Sequence, residues 1–246
     1  MGYRVSDLVG KPLSSVITQA ALFDVDGAID ELSQWHGEVV ELHKAGYEIP
    51  LLVKIANIHS EHSNRDSQWL VMISDLSESK EMERLSYLAH HDALTGLANR
   101  ASLYKELEVL QSAQSFVPYA LLYADLDGFK EVNDQFGHDA GDEVLKVVAK
   151  RLQNQVRGED LVVRLAGDEF IIVLRSCDQE SLAERSNALI EHVSRMIHYK
   201  GVNLKVGVSI GVYWSQESSM GSNEVMKVAD TAMYEPKALV KVAVSF

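Results

Sequence analysis

From about residue 91 onward, apolar runs alternate with amphipathic segments. Apolar positions at helical spacing predict helices at 100–110 and 142–153, and the apolar run 119–124 predicts a strand. The strand-like runs 161–165 and 170–174 are four residues apart, which predicts a β-hairpin. Three further elements are predicted: a helix at 179–197, a strand at 204–213 and a helix at 223–237. The pattern indicates an α+β fold with a central, largely antiparallel sheet covered by helices.

The first part of the chain has a different character. Residues 49–58 and 68–74 are rich in apolar and β-branched side chains, which predicts two strands separated by the polar stretch 59–67. This part is also α+β in type. The change of character between residues 74 and 91 indicates a domain boundary.

The segment 75–91 predicts a helix that connects the two parts. Asp75 and Ser77 are candidate N-caps, and an apolar stripe follows at helical spacing, formed by Met82, Leu85 and Ala89. The stripe suits a two-stranded helical connector, and the alternative is a helix that packs on its own domain. We expect a first domain at 1–77, a helical linker at 78–90 and a second domain at 91–246.

Composition and charge narrow the class of protein. The 246 residues are 46% hydrophobic, which is enough for a buried core, and the net charge of −13 argues against a general nucleic-acid binder. The single cysteine, Cys177, cannot form a disulfide within the chain, so a reducing cytoplasm is expected. No apolar run is long enough to cross a bilayer, and we expect no membrane segment.

Acidic side chains are concentrated at two predicted strand ends. Asp125 and Asp127 follow the strand 119–124, and Asp168 and Glu169 lie at the tip of the predicted hairpin. If the hairpin pairs beside that strand, the carboxylates converge on an oxygen-rich site for Mg²⁺ or Mn²⁺, which is the chemistry of nucleotidyl transfer. The alternative is that these acids only cap helices and turns.

Six ordered motifs resemble the GGDEF domain of diguanylate cyclases. They are HDALTGLANR at 91–100, DLDGFKEVND at 125–134, FGHDAGD at 136–142, RLAGDEF at 164–170, VSIGV at 208–212 and ADTAMY at 229–234. The resemblance implies a palm-like nucleotidyl-cyclase fold.

The resemblance also implies roles for individual residues. The metal ligands would be Asp125, the carbonyl of Leu126, and Asp168. The catalytic residues would be Asp168, Glu169 and Lys130. Asn133 and Asp142 would recognise guanine, and an aspartate suits that base because guanine offers a pair of N–H donors. Further substrate contacts would come from Phe129, Lys130, Arg164, Gly167, Lys237 and Lys241.

In this family each domain binds one GTP, and two domains face each other to form cyclic di-GMP and two pyrophosphates. A homodimer is therefore implied. Arg157 and Asp160 resemble the family's RxxD product-inhibition site, where an arginine fork suits a phosphate or a guanine edge. A surface ion pair is the alternative interpretation of these two residues.

Two departures from the family pattern bear on activity. Ala166 replaces the usual first glycine, which would cost roughly 1–2 kcal/mol if that position needed a positive φ. In the tail, Pro236 precedes Lys237, and Lys241 stands where the family has arginine. Because proline biases the preceding residue away from helical geometry, we predict weakened triphosphate binding.

The first part of the chain resembles a PAS sensor domain without its first strands, through GYRVSDLVGK at 2–11 and WHGE at 35–38. We therefore expect a diguanylate cyclase under PAS control. The alternative is a catalytically impaired domain that acts as a GTP or cyclic di-GMP receptor. A mixed-nucleotide cyclase is disfavoured because Asp142 retains the carboxylate expected to recognise guanine.

Overall fold

A computed structural model describes residues 2, 4–13, 17, 34–58, 68–112, 117–215, 220–234 and 240–244. The chain divides into two compact units, residues 1–86 and 87–246. Within the described segments, no helix combines the length and apolar character needed to span a membrane. Our three-part division of the chain stays a prediction.

The first unit contains a three-stranded antiparallel sheet. A short helix α1 (Val5–Leu8) is followed by β1 (Gln34–Leu42), β2 (Glu48–Ile58) and β3 (Gln68–Asp75), in the order β1-β2-β3. Alternate residues of β2 form the core of this unit, namely Ile49, Leu51, Val53 and Ile55. The two predicted strands are confirmed.

Strand β1 was not predicted because polar residues and Gly37 interrupt its apolar positions. The polar stretch expected at 59–67 lies outside the described residues.

Helix α2 (Ser77–His90) confirms that this segment is helical, and its role as a connector stays a prediction. The carboxylate of Asp75 accepts a hydrogen bond of 2.8 Å from the Ser77 N–H, so Asp75 caps the first turn. None of the residues of α2 is buried, and Met82 and Leu85 are 66% and 53% exposed. The apolar stripe is therefore left uncovered.

The second unit is a five-stranded sheet with helices on both faces. Its elements are α3 (Arg100–Ser112), β4 (Tyr119–Asp125), α4 (Phe129–Phe136), α5 (His138–Gln153), β5 (Leu161–Ala166), β6 (Glu169–Arg175), α6 (Gln179–Val193), β7 (Ile197–Tyr199), β8 (Val202–Leu204), β9 (Ser209–Ser215), α7 (Ser222–Tyr234) and β10 (Val240–Val244). The strand order is β10-β9-β4-β6-β5, and only the β10–β9 pair is parallel. The predicted sheet and the β5–β6 hairpin are confirmed.

Strand β4 lies at the centre of this sheet and is buried on both faces. Leu122 and Ala124 belong to the core cluster that includes Val144 of α5, and Leu121 belongs to the opposite cluster with Leu103 of α3. Because β4 is enclosed by two neighbouring strands and two layers of side chains, the position of its last residue is rigidly defined.

The region after α6 differs from the prediction. The helix expected at 179–197 ends at Val193, where the Arg151 guanidinium donates hydrogen bonds of 2.8 Å to the carbonyls of Val193 and Met196. The β7–β8 hairpin follows, with positive φ at Lys200 and Gly201. The strand expected at 204–213 accordingly divides into β8 and β9.

Helix α5 begins at His138, four residues before the predicted 142. Helix α7 is described as far as Tyr234, and the rest of that predicted helix, at 235–237, lies outside the described residues. Helix α4 and strand β10 were not predicted, because both are short and lack a long apolar pattern.

Candidate active site

The acidic site forms where β4 ends between its two neighbours. Asp125 is the last residue of β4 and lies opposite Glu169 on β6 and Ser209 on β9. Gly167 and Asp168 form the two-residue turn of the hairpin, and Glu169 is the first residue of β6. The two acidic clusters therefore lie together at one end of the central strands, as the sequence predicted.

These carboxylates repel one another. Partial burial, together with the negative charges of Asp168, Glu169, Asp127 and the more weakly acting Asp230, raises the pKa of Asp125 to about 6. Within the described part of the chain, no hydrogen bond or ion pair neutralises the side chains of Asp125, Asp168 or Glu169. The site thus holds excess negative charge that a bound cation would offset.

The donor set suits a hard divalent cation supplied together with a phosphate ligand. No group of three or more His, Cys, Asp or Glu side chains is arranged to hold a metal among the described residues. Asp125, Asp168 and the carbonyl of Leu126 would supply part of a shell of oxygens, and Mg²⁺ commonly completes such a shell with water and substrate phosphates. The raised pKa of Asp125 and this all-oxygen set together fit the expected cation.

Asp127 differs from Asp125 because its carboxylate is hydrogen-bonded within the protein. Its carboxylate accepts hydrogen bonds of 3.1 and 3.0 Å from the Ser209 hydroxyl, and its backbone exchanges two hydrogen bonds with Gly207. Asp127 therefore ties the segment after β4 to the start of β9, which holds the Leu126 carbonyl in place. Because β4 ends at Asp125, the alternation of side chains along the strand does not extend to Asp127.

The hairpin turn accepts alanine at position 166 without left-handed strain. The positive φ of the turn falls on Gly167, at 50°, whereas Ala166 ends β5 beside a register shift and is not among the residues with positive φ. The cost we associated with a positive φ at Ala166 therefore does not arise. Gly167 is the position that needs glycine.

Arg164 braces the same turn. Its guanidinium donates hydrogen bonds of 3.0 and 2.8 Å to the Gly167 carbonyl and of 3.0 and 3.2 Å to the two carboxylate oxygens of Asp92. The arginine side chain is only 13% exposed. Arg164 therefore positions the hairpin, and its expected contact with substrate stays a prediction.

Asp92 was not identified from the sequence as a functional residue, although it lies in the motif HDALTGLANR at 91–100. Its burial favours the neutral acid, but hydrogen bonds from Thr95 and Arg164 outweigh that effect and hold the pKa of Asp92 below its usual value. Thr95 contributes both its N–H, at 2.9 Å, and its hydroxyl, at 2.6 Å. Asp92 thus links the loop before α3 to the signature hairpin.

Helix α4 begins beside the acidic cluster. Gly128 adopts the left-handed conformation, with φ 81° and ψ 8°, and no side chain caps the first N–H groups of the helix. Such an uncapped helix start is suited to phosphate oxygens. Phe129 is partly buried there, whereas Lys130 is exposed and has no ion-pair partner within the described residues.

The two expected guanine-binding residues lie on adjacent helices. Asn133 is on α4 and packs against Gly141 of α5, which immediately precedes Asp142. Asp142 is exposed, and neither side chain forms a hydrogen bond within the part of the chain that the structure describes. Both groups are therefore available to a ligand.

Comparison with known proteins decides the family. The model of the diguanylate cyclase GGDEF domain matches residues 89–241, which is more than half of the chain. The chain belongs to the GGDEF diguanylate cyclase family. The acidic cluster and the two helices beside it, α4 and α5, lie within the matched residues.

Individual relatives agree with this assignment. The probable diguanylate cyclase DgcE of Escherichia coli is 41% identical over 68% of this chain and 16% of its own length. An uncharacterized signaling protein of Caulobacter vibrioides is 35% identical over 96% of this chain and 30% of its own length. The chain thus spans less than a third of either relative.

A solved structure shares the fold. The coiled coil and GGDEF domain of DgcB from Caulobacter crescentus, solved in complex with c-di-GMP, is similar with a TM-score of 0.60 and 26% identity. The similarity covers 68% of this chain and 92% of that structure.

The RxxD residues of this GGDEF domain differ sharply in environment. The Asp160 side chain is fully buried and accepts hydrogen bonds from the N–H groups of Arg157 and Arg175 and from the Arg185 guanidinium, at 2.9 to 3.0 Å. The Arg157 side chain is 67% exposed. Within the described residues, its guanidinium pairs with the Glu159 carboxylate alone, at 3.8 Å. Asp160 therefore shapes the turn, and Arg157 is available for binding.

Arg185 was not identified from the sequence, because no local motif marks it. The structure places it beside the RxxD turn through its bond to Asp160. Of the two tail residues expected to bind phosphates, Lys237 lies outside the described residues. Lys241 belongs to β10.

Charge removal at Asp125 should stabilise the metal-free domain. We expect Asp125→Asn to raise the melting temperature in EDTA at pH 8 by roughly 2–4 °C, equivalent to about 1 kcal/mol after allowance for solvent screening. A carboxyl whose folded pKa is raised costs stability when ionised, so the gain should shrink as pH falls from 8 to 5. Thermal unfolding of Asp125→Asn and of the exposed control Glu184→Gln measures this, and a lower melting temperature at pH 8 would contradict it.

Replacing Arg164 tests the brace on the hairpin. Lysine keeps the charge but cannot contact Asp92 and the Gly167 carbonyl together, so Arg164→Lys should lower the melting temperature by roughly 2–4 °C. Hydrogen exchange of the amides at 166–169 should also accelerate. The matched control is Arg195→Lys. Among the described residues, the Arg195 side chain forms one ion pair, with Glu191, and both side chains are exposed. Unchanged exchange in the hairpin would show that Arg164 does not hold it.

Proposed function

We propose that this chain is a diguanylate cyclase that condenses two GTP into cyclic di-GMP and two pyrophosphates across the interface of two copies. The main support is the position of Asp125, half-buried at the end of the central strand and opposite Glu169, in a chain of the GGDEF family. Because each relative named above is several times longer, the activity of the complete protein is part of this proposal.

The reaction joins the 3′-hydroxyl oxygen of each GTP to the α-phosphorus of the other, so the same step occurs twice. The bond between that phosphorus and the oxygen bridging to the β-phosphorus breaks, and pyrophosphate leaves. Glu169, which lies opposite Asp125 and forms no ion pair within the described residues, would accept the hydroxyl proton. When bound by Asp125, Asp168 and the Leu126 carbonyl, Mg²⁺ or Mn²⁺ would neutralise charge that develops on phosphate oxygens.

Phosphate binding would begin at the start of α4. The N–H groups around Phe129 and the ammonium of Lys130 provide positive potential beside the acidic cluster. Lys237 and Lys241 would add contacts to the β- and γ-phosphates from the tail. The weaker triphosphate binding predicted from Pro236 belongs to this part of the proposal.

Guanine recognition would use Asn133 and Asp142. A carboxylate accepts hydrogen bonds from both N1 and N2 of guanine, and adenine has no equivalent donor pair. The free side chain of Asp142 supports GTP over ATP. It also disfavours a mixed-nucleotide cyclase.

Dimerisation would place two half-sites face to face. The uncovered stripe of Met82 and Leu85 on α2 supports pairing of two copies through this helix. The PAS-like first unit would control that pairing. Because the substrate would be GTP, we expect the domain to act in the cytoplasm.

Product inhibition would act through Arg157. Its exposed guanidinium is suited to a phosphate or guanine edge of cyclic di-GMP, while buried Asp160 keeps the turn in shape. A receptor that binds cyclic di-GMP through the same turn without catalysis is the second candidate, since the altered tail with Pro236 before Lys237 would weaken triphosphate binding.

The activity assay separates these two candidates. Purified protein with GTP and Mg²⁺ should form cyclic di-GMP, and Glu169→Gln should reduce the rate by about a hundredfold or more because the proton acceptor is lost. Glu184→Gln, an exposed carboxylate on α6, is the matched control and should retain activity. No product from the unchanged chain at concentrations that favour the dimer would support the receptor function.

Inhibition should depend on Arg157 but not on overall stability. Arg157→Ala should keep its melting temperature and lose about tenfold or more in cyclic di-GMP affinity, as expected for a charge-assisted contact. Asp160→Ala should instead destabilise the domain by about 3 kcal/mol or more, because it leaves Arg185 without its buried partner. Arg195→Ala is the control, and progress curves of Arg157→Ala that slow like those of the unchanged enzyme would refute the site.

A further inference from the structure

Gly141 has an unusual environment for a helical glycine. It is buried within α5, and a Cβ at this position would overlap the carboxamide of Asn133 on α4. The three nearest atoms all belong to the Asn133 side chain, with Cγ at 2.9 Å and Nδ2 at 3.3 Å from the ideal Cβ position. The space that a side chain would fill is therefore occupied by Asn133.

The backbone does not explain the glycine. Gly141 has no positive φ, in contrast to Gly137 at the start of the same helix, with φ 84°. Glycine inside a helix is less favourable than alanine by about 1 kcal/mol, so α5 would be more stable with alanine. The benefit of Gly141 must lie in the close approach that it permits.

That approach brings two polar groups together. Asp142 directly follows Gly141, so the Asn133 carboxamide lies on the surface of α5 next to the Asp142 position. No hydrogen bond within the described residues orients the carboxamide, and its contact with Gly141 is the constraint on its location that the structure shows.

We propose that Gly141 is a positioning residue for nucleobase recognition. By leaving room for Asn133 against α5, it lets Asn133 and Asp142 present a carboxamide and a carboxylate to one edge of the same base. This inference rests on the proposed function for the identity of the base as guanine. Gly141 itself touches no substrate in this arrangement.

Substitution at this position should displace Asn133 without unfolding the domain. The overlapping atoms form the end of a side chain, which rotates more easily than the helix backbone moves. In Gly141→Ala, Asn133 would turn away from α5, and the base would lose its contact with the carboxamide. The effect of Gly141→Ala should therefore equal that of Asn133→Ala.

A double-mutant cycle tests the coupling by calorimetric titration with GTP and Mg²⁺. We expect Gly141→Ala and Asn133→Ala each to weaken GTP binding about five- to tenfold, and the double variant to be no weaker than either. The preference for GTP over ATP should fall in all three, KM should rise and kcat should change little. Gly221→Ala is the matched control, because a Cβ there meets nothing within 4 Å.

Three outcomes would overturn the inference. These are normal GTP binding by Gly141→Ala, additive effects in the double variant, and normal binding by Asn133→Ala. Unchanged binding by both Asn133→Ala and Asp142→Ala would in addition refute guanine recognition by these helices. If Gly141→Ala fails to fold, recovery of folding in the double variant would still demonstrate the overlap with Asn133, and failure of both variants would contradict it.

Discussion

Repulsion among carboxylates at the end of β4 is the constraint on which the site depends. Asp125 cannot move away from Glu169 and Asp168, because β4 is paired on both sides and packed on both faces. The fold thus holds negative groups in an arrangement whose mutual repulsion a bound cation would relieve. This is the usual compromise between stability and function at a charged site.

Several interactions away from the carboxylates maintain this arrangement. Asp127 and Ser209 join the segment after β4 to β9, and Arg164 joins the hairpin turn to Asp92. Each of these polar groups is satisfied within the protein, so each holds a backbone segment and leaves the acidic groups for ligands. The segregation of bracing and binding groups explains why neighbouring aspartates have such different surroundings.

Much of the fold could be predicted because its elements have clear apolar periods. Strand β4 and the β5–β6 hairpin are marked by continuous apolar runs, and the central sheet follows from them. Helix α4 is short and follows a glycine, and β7 and β8 have three residues each, so their periods are too brief to detect. The end of α6 depends on Arg151, a contact distant in sequence.

The site was predictable to a similar extent. The acids were found because they lie at strand ends, and the family resemblance indicated their roles. Asp92, Arg185 and Gly141 were missed because their importance arises from contacts across the fold rather than from local sequence. The concern about Ala166 also required the structure, since backbone dihedral angles at a turn cannot be assigned from residue type alone.

Proton release on ligand binding tests the central claim most directly. Mg²⁺·GTP should be titrated into the protein at pH 6 and pH 8 in buffers that differ in ionisation enthalpy, with Asp125→Asn for comparison. With the pKa of Asp125 at about 6, binding should release about half a proton at pH 6 and almost none at pH 8, and the variant should lack this difference. Equal proton release at both pH values, or the same release from Asp125→Asn, would contradict the account.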